Sequence, residues 1–387
     1  MSIDAFRKDA DKVISRLNES KEHFAVVVTH DDADGLSSGA IIKEALERSK
    51  FEVKIIFLEK IFPEVVKDLH SNYNLIFYTD IGSAHANLIS SLNSKKSLTI
   101  ILDHHNASGG ESNNVYDLNL EKYGYKGETD FSGATITYLF AKQLNSRNED
   151  LIYLALVGSK EIPDGFLGIN KGLLEEAERK GYIKKKGNDY LITKFNTTLG
   201  EMFSSLQILG SVGYYSQGPE IGIKAAISGI DTSIEEKIKS LEFKRKNANK
   251  KLIEALLKGS LKKLNRIQWF DASNFFKGMG TKVLGTFCSY LSYQTHIVDQ
   301  DKYIVGIVDM PSEIPNWGKL EKEYCKISAR APKKLQELIR SKKSISVVDL
   351  LVNSTGPHGF ADGHDFAASA IVTKGSETEV IKRMDSL

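Results

Sequence analysis

The chain has 387 residues, 41% of them hydrophobic, with 52 basic residues set against 50 acidic ones. At roughly 100–200 residues per domain this length predicts two or three folded domains, and the near-neutral balance argues neither for nor against a nucleic-acid partner, leaving that question to local patches. The two cysteines, Cys288 and Cys325, stand far apart and in no zinc or redox spacing, so no disulfide framework is expected.

From Phe24 onward, short apolar runs alternate with amphipathic segments. "FAVVVTH", "VKIIFL", "NLIFYTDI" and "LTIILDHH" are nearly continuous in hydrophobicity, as parallel strands covered on both faces are. "GLSSGAIIKEALERS" and "SAHANLISSLNS" between them have helical spacing, so the region reads as βα units of an open sheet. Residues 131–144 and 150–157 are expected to be helical, and "GSKEIPDGFLG" a loop. "YIKKKGNDYLI" reads as a hairpin turning at Gly187 and Asn188. A lysine-rich helical pattern over 233–264 is expected to connect to a second, smaller α/β unit at 265–387, with strands in "IQWFDAS", "KYIVGIVDM" and "EYCKISARA". No leader and no run of about 18 apolar residues is seen, so a soluble, cytoplasmic protein without a membrane partner is expected.

Ligands of open parallel sheets sit beyond the carboxyl ends of the strands. His30, Asp32, Asp34, Asp80 and Asp103 to His105 all stand at such ends. In "THDDADGLSS" the alternation of His30, Asp32 and Asp34 puts all three on one side if the chain stays extended, with Asp31 facing the other way. An Asp and a Gly after a strand are common turn chemistry. With Asp80 and His104 added, however, the carboxylates and imidazoles would repel one another unless cations lay between them. Oxygen-rich ligation with one or two imidazoles suits Mn²⁺ or Mg²⁺. Two such ions about 3.5–4 Å apart would clamp phosphoryl oxygens during in-line attack, which points to phosphoester hydrolysis.

"HDDADG", "YTDIGS" and "LDHH" resemble the first three motifs of the DHH phosphoesterase superfamily. The similarity continues through "FSGATITYLFAKQL" and "LALVGS". "KISAR" and "DGHDFAASA" are similar to the DHH-associated domain. The archaeal RecJ-like single-strand exonucleases match best. The resemblance implies an α/β DHH catalytic domain over 1–232, a helical connector over 233–264 and a DHH-associated substrate-binding domain over 265–387, with the active site in the cleft between the domains. It implies two Mn²⁺ or Mg²⁺ ions held by Asp32, Asp34, Asp80 and His104, with His30 as a ligand or beside them. His105 would meet the scissile phosphate and Asp103 would orient an imidazole. Arg330, Gly363 and His364 would bind the substrate, single-stranded DNA or RNA.

Two motifs depart from the family. The fourth is usually a Gly and Asp pair a few residues after "LVG", whereas here Glu161, Ile162 and Pro163 occupy that region and Asp164 is the nearest Asp. Asp164 is favoured as the remaining ligand, with Glu161 as the alternative. The C-terminal motif has Asp362 where a triple glycine is usual, although Gly363 and His364 remain. Relatives that have lost catalysis act as structural partners of the replicative helicase, so a scaffold binding the GINS complex is an alternative to the exonuclease. An oligonucleotide or cyclic-dinucleotide phosphodiesterase is another. The lysine-rich connector is either a face that tracks phosphates or a solvated helix, and Tyr123, Tyr125, Tyr214 and Tyr215 either stack bases or pack.

Overall fold

A computed structural model describes residues 2–107, 109, 112, 114–163 and 165–387. The chain divides into two compact units. The first comprises 1–210, 217–238 and 315–318, and the second 211–216, 239–314 and 319–387. Among the described residues no helix is long and apolar enough to cross a membrane.

The first unit opens with helix α1 (Ile3–Glu19), then alternates strand and helix: β1 (Phe24–His30), α2 (Ala33–Arg48), β2 (Glu52–Leu58), α3 (Pro63–Asn72), β3 (Leu75–Thr79), α4 (Ala86–Leu92), β4 (Leu98–Leu102) and β5 (Val115–Asp117). The strands form one parallel sheet in the order β2-β1-β3-β4-β5. Val27, Phe77 and Ile100 stand in register across β1, β3 and β4, and they are buried with Phe6 of α1, Leu46 of α2 and Phe140. The β-branched content of these strands suits such a surface, and burial on both faces explains why they read as unbroken apolar runs. The same register sets Thr29, Thr79 and Leu102 level. The residues that follow each of them therefore emerge along one edge of the sheet.

Helices α5 (Gly133–Leu144), α6 (Ile152–Gly158) and α7 (Gly168–Arg179) follow. The hairpin Ile183–Lys186 and Asp189–Ile192 turns at Gly187 and Asn188, as the sequence predicts. The lysine-rich segment is helical from Thr232 to Ala255, but the helix does not extend to Leu264. Gly259 adopts a left-handed φ of 102°, and Lys262–Lys263 is already a short strand. Ile234, Leu241 and Ala248, spaced one heptad apart, are its buried stripe.

The second unit is a mixed sheet of six strands. Ile267–Asp271 and Tyr303–Met310 are parallel, while Tyr324–Arg330 and the hairpin Gly359–His364/Ala367–Thr373 are antiparallel. Cys325, Ile327, Leu350 and Val372 belong to its core. Cys288 and Cys325 are free, buried thiols.

Candidate metal and phosphate sites

At the edge defined by Thr29, Thr79 and Leu102, two sets of potential ligands converge: His30, Asp32 and Asp80, and Asp80, His104 and His105. In each set one donor atom from every residue lies within 4.8 Å of the others. Asp80 is common to both. It leaves β3 with a left-handed φ of 57°, unusual outside glycine, and its amide donates to Leu102 O at 2.9 Å. This conformation turns the carboxylate into the cluster. A Cβ on Gly133 would come within 2.3 Å of Asp80 Oδ1, so the glycine makes room for the acid. Burial first, then the charges of Asp34, Asp32, Asp103 and Glu161, push the Asp80 carboxyl well above the usual carboxylate range. Asp80 Oδ1 is buried with no hydrogen-bond donor.

Asp32 shows the turn chemistry that its motif predicts and also stands in one of the two ligand sets. Its Oδ1 accepts from Gly35 N at 2.8 Å, capping α2, while its Oδ2 lies 2.7 Å from His30 Nδ1. The chain does not stay extended beyond this residue. Helix α2 begins at Ala33, so Asp34 reaches the cluster from the first helical turn rather than by strand alternation. Its carboxylate is held at the N-terminus of α5 by Ser132 Oγ (3.0 Å), Gly133 N (2.8 Å) and Ala134 N (2.8 Å). Gly158 clears space for it, since a Cβ there would fall 2.1 Å from Asp34 Oδ1. Asp34 Oδ2 is 3.9 Å from His104 Nε2.

His104 turns Nδ1 to Gly127 O at 2.9 Å, which leaves Nε2 3.4 Å from Asp80 Oδ1. His105, with its side chain 47% exposed, lies 2.7 Å from Asp103 Oδ1 through Nδ1. The ring's partial withdrawal from water works against a charge on it, but the Asp103 carboxylate outweighs this and raises the imidazole to about 9. In turn, burial alone would raise Asp103, yet His105, His104 and the Ser83 amide hold it far below the usual carboxylate range.

Several supporting residues escaped the sequence reading. Ser83 donates its amide to Asp103 Oδ2 (2.9 Å) and its hydroxyl to Asp117 Oδ1 (2.7 Å), and Lys122 Nζ pairs with Asp117 Oδ2 at 2.9 Å. Asn119 Nδ2 donates to His105 O at 2.6 Å. The available signal was "VYDLN", the three-residue strand β5 and its polar exit, too short to stand out by periodicity. Of the two acids in the altered fourth motif, Asp164 lies outside the described residues. Glu161 ends a short 3₁₀ turn, Ser159–Glu161, and its charge acts on Asp80.

In the second unit Arg330, Ala367 and His364 stand in register across three strands. Residues directly opposite in antiparallel strands share a face, so Arg330 and His364 flank the small Ala367 at about 10 Å separation, two strand spacings. Arg330 Nε donates to Ser289 Oγ at 2.8 Å, on the helix Lys282–Leu291, and its Nη1 donates to Ala329 O and Ala368 O. Among the described residues no carboxylate pairs with Arg330. Ser328 Oγ, one pleat repeat back on this face, is buried without a partner. Gly363 serves the hairpin itself: a Cβ there would sit 2.4 Å from Ala368 Cα. Tyr123 and Tyr214 are buried and do not face solvent, whereas Tyr290 and Tyr293, which the sequence reading passed over, are 48% and 73% exposed beside Ser289.

Residues 25–159 match the model of the DHH family, N-terminal domain, a stretch running from β1 to the end of α6. Residues 25–159 are thus similar to a DHH-family N-terminal domain. An uncharacterised protein of Methanocaldococcus jannaschii is 25% identical, covering 98% of this chain and 97% of its own length. Among solved structures, RecJ of Thermus thermophilus in complex with Mn²⁺ is similar at a TM-score of 0.65 and 16% identity, over 98% of this chain; the match spans 54% of RecJ, about half its length. An exonuclease RecJ bound to manganese matches at a TM-score of 0.61 and 16% identity, over 98% of this chain and 93% of that one. CDC45 of Entamoeba histolytica matches at 0.52 and 11%, over 99% and 98%.

Proposed function

We propose that this protein is a divalent-metal-dependent phosphodiesterase acting on single-stranded DNA or RNA, an exonuclease of the RecJ type. The observation that carries the reading is the pair of ligand sets sharing Asp80 at the sheet edge. Carboxylates this close and this buried are costly without a counter-charge, and Asp80 Oδ1 has no donor. A donor set of carboxylate oxygens with imidazole nitrogens fits Mn²⁺ or Mg²⁺, and manganese-bound RecJ shares the fold. His30, Asp32 and Asp80 would hold one ion, and Asp80 and His104 the other, with Asp34 beside His104. Bound divalent ions supply Lewis acidity at a phosphoryl oxygen and acidify water at neutral pH.

The chain's own groups do the rest. His105, kept cationic by Asp103, donates a hydrogen bond to a phosphoryl oxygen and offsets charge that develops there. Asp103 holds that ring and, through Ser83, is tied to β5. In the second unit Arg330 and His364, on either side of Ala367, are spaced to take a phosphate, and a guanidinium that meets no carboxylate among the described residues favours an anion. Tyr290 and Tyr293 offer faces on which bases stack. Cytoplasmic location and a role in replication or repair belong to this proposal and rest on the family resemblance.

Labelled single-stranded DNA and RNA incubated with and without Mn²⁺ test the reading. The expected result is successive loss of single nucleotides that depends on Mn²⁺ and disappears in the Asp80→Asn protein. Cleavage confined to dinucleotides would move the assignment to an oligonucleotide or cyclic-dinucleotide phosphodiesterase. The altered fourth motif, with Glu161, Ile162 and Pro163 after the helix, favours one further reading, a noncatalytic scaffold for GINS and the replicative helicase. Mn²⁺ binding without any cleavage would put that reading first.

A further inference from the structure

Each of the three imidazoles in the cluster has one ring nitrogen hydrogen-bonded to a protein oxygen. For His104 that oxygen is Gly127 O at 2.9 Å, and for His105 it is Asp103 Oδ1 at 2.7 Å. His30 Nδ1 is hydrogen-bonded to Asp32 Oδ2 (2.7 Å) with Asp80 Oδ2 at 3.8 Å, while Nε2 faces Asp31 Oδ1 at 3.4 Å without a hydrogen bond. Asp31 does not simply turn away from the cluster, as strand alternation predicts.

Asp31 is fully buried, and neither of its carboxylate oxygens accepts a hydrogen bond. It does not cap α2, because Asp32 does. Nor can water reach its main chain freely: Gly210 packs so closely that a Cβ there would lie 1.9 Å from Asp31 O. A buried carboxylate without a donor weakens a fold, so an acid kept in that state calls for a reason other than stability. The group placed to supply a donor is the His30 ring. A histidine that binds a divalent ion does so as a neutral ring carrying one N–H, and an acceptor on the second nitrogen fixes the tautomer and the ring plane.

We propose that Asp31 is a positioning residue: when a divalent cation takes the place of the proton between His30 Nδ1 and Asp32, Asp31 is the acceptor placed to take the Nε2–H of His30, and so it presents Nδ1, with Asp32 and Asp80, to the ion. The inference rests on the metal reading above and adds a residue outside both ligand sets. Asp103 hydrogen-bonds His105 and favours its cationic ring, whereas Asp31 faces His30 as the acceptor for a neutral, metal-binding ring.

Mn²⁺ affinity measured by calorimetry or by electron paramagnetic resonance, together with thermal melting in chelator, tests it in the full-length protein. Asp31→Leu removes the acceptor and should weaken Mn²⁺ binding by about 10- to 100-fold, as loss of a ligand's hydrogen-bond partner generally does. Asp31→Asn keeps an acceptor oxygen and should recover most of that loss. Both variants should melt in chelator at or above the wild-type temperature, because a buried carboxyl group that makes no hydrogen bond has been removed. A residue of purely structural importance would lower that temperature instead. Wild-type affinity in Asp31→Leu, or loss of metal-free stability in both variants, would overturn the assignment of Asp31 alone. Failure of the wild-type protein to bind Mn²⁺ at all would overturn the metal reading and this inference with it.

Discussion

His104 Nδ1 sits 2.9 Å from the carbonyl of Gly127, and that one contact orients the ring so that Nε2 faces Asp80 Oδ1 at 3.4 Å. The two residues are far apart in sequence and belong to no common motif. A carbonyl oxygen can only accept, so it commits Nδ1 to carry the proton and leaves Nε2 its lone pair. If the cluster at the sheet edge binds a cation as proposed, its surroundings aim the rings as much as the ligands themselves do.

Because Asp80 belongs to both ligand sets, Asp80→Asn should lower Mn²⁺-dependent hydrolysis by more than about 100-fold, the upper cost of losing a mere hydrogen-bond partner of a ligand. Asn tolerates the left-handed backbone that Asp80 adopts, so the fold should persist. Loss of repulsion should leave the chelator-treated variant melting no lower than wild type. Retained turnover would remove Asp80 from the metal site.

The fourth motif separates two acids. The Glu161 charge acts on Asp80, so Glu161→Gln should raise the Mn²⁺ concentration giving half-maximal activity by about tenfold. Asp164, the acid favoured from the sequence, lies outside the described residues, and Asp164→Asn tests it in the same way. Titration of both variants with Mn²⁺ decides between them, and a larger effect of Asp164→Asn would return the role to Asp164.

Arg330→Gln should weaken single-strand binding by about tenfold and flatten its dependence on salt, with Mn²⁺ affinity unchanged. Tyr293→Ser should also weaken binding, by about 1–3 kcal/mol if a base stacks there, without altering the salt slope. Binding isotherms at two salt concentrations distinguish the two effects. A change in Mn²⁺ affinity in either variant would mean these side chains act on the metal cluster instead.

His70, which belongs to neither ligand set, supplies a pH dependence of its own. It is fully buried, with Nε2 3.1 Å from Tyr78 Oη, and burial, partly offset by Asn93, lowers its pKa below the ordinary 6.5. Between the unfolded value and the lower folded one, the unfolded chain holds the extra proton, so stability falls as pH drops below about 6.5. The slope approaches about 1.4 kcal/mol per pH unit for one proton. His70→Gln should flatten this acid limb in denaturant titrations at pH 7 and pH 5. An unchanged slope would place the acid sensitivity elsewhere.

How much of this was legible in the sequence differs from residue to residue. The parallel sheet was readable because strands buried on both faces lose their alternation, and "FAVVVTH", "NLIFYTDI" and "LTIILDHH" each end in polar residues at the ligand-binding edge. His30, Asp32, Asp80 and His104 could be singled out from that position alone. The turn at Gly187 and Asn188 was readable for a local reason, since a two-residue turn depends on its own backbone. The length of the lysine-rich helix was misjudged because Gly259 ends a pattern that lysines otherwise continue.

Tertiary structure decided the relationships that span long separations. No local pattern tells that Gly133 and Gly158 are glycines so that Asp80 and Asp34 can approach, or that the amides of α5 hold Asp34 from about a hundred residues away. Nor does it tell that Arg330 and His364 share a sheet face through Ala367, because register between strands follows from how whole hydrophobic faces pack. Asp31 is the sharpest case. Alternation along a strand assigns it to the far side, but the chain turns into α2 two residues later, and that turn brings its carboxylate beside His30. The sequence by itself determined which residues meet at the sheet edge, since polar strand ends are a local consequence of hydrophobic burial. The packing of distant glycines, amides and carbonyls decided how each of those side chains is aimed.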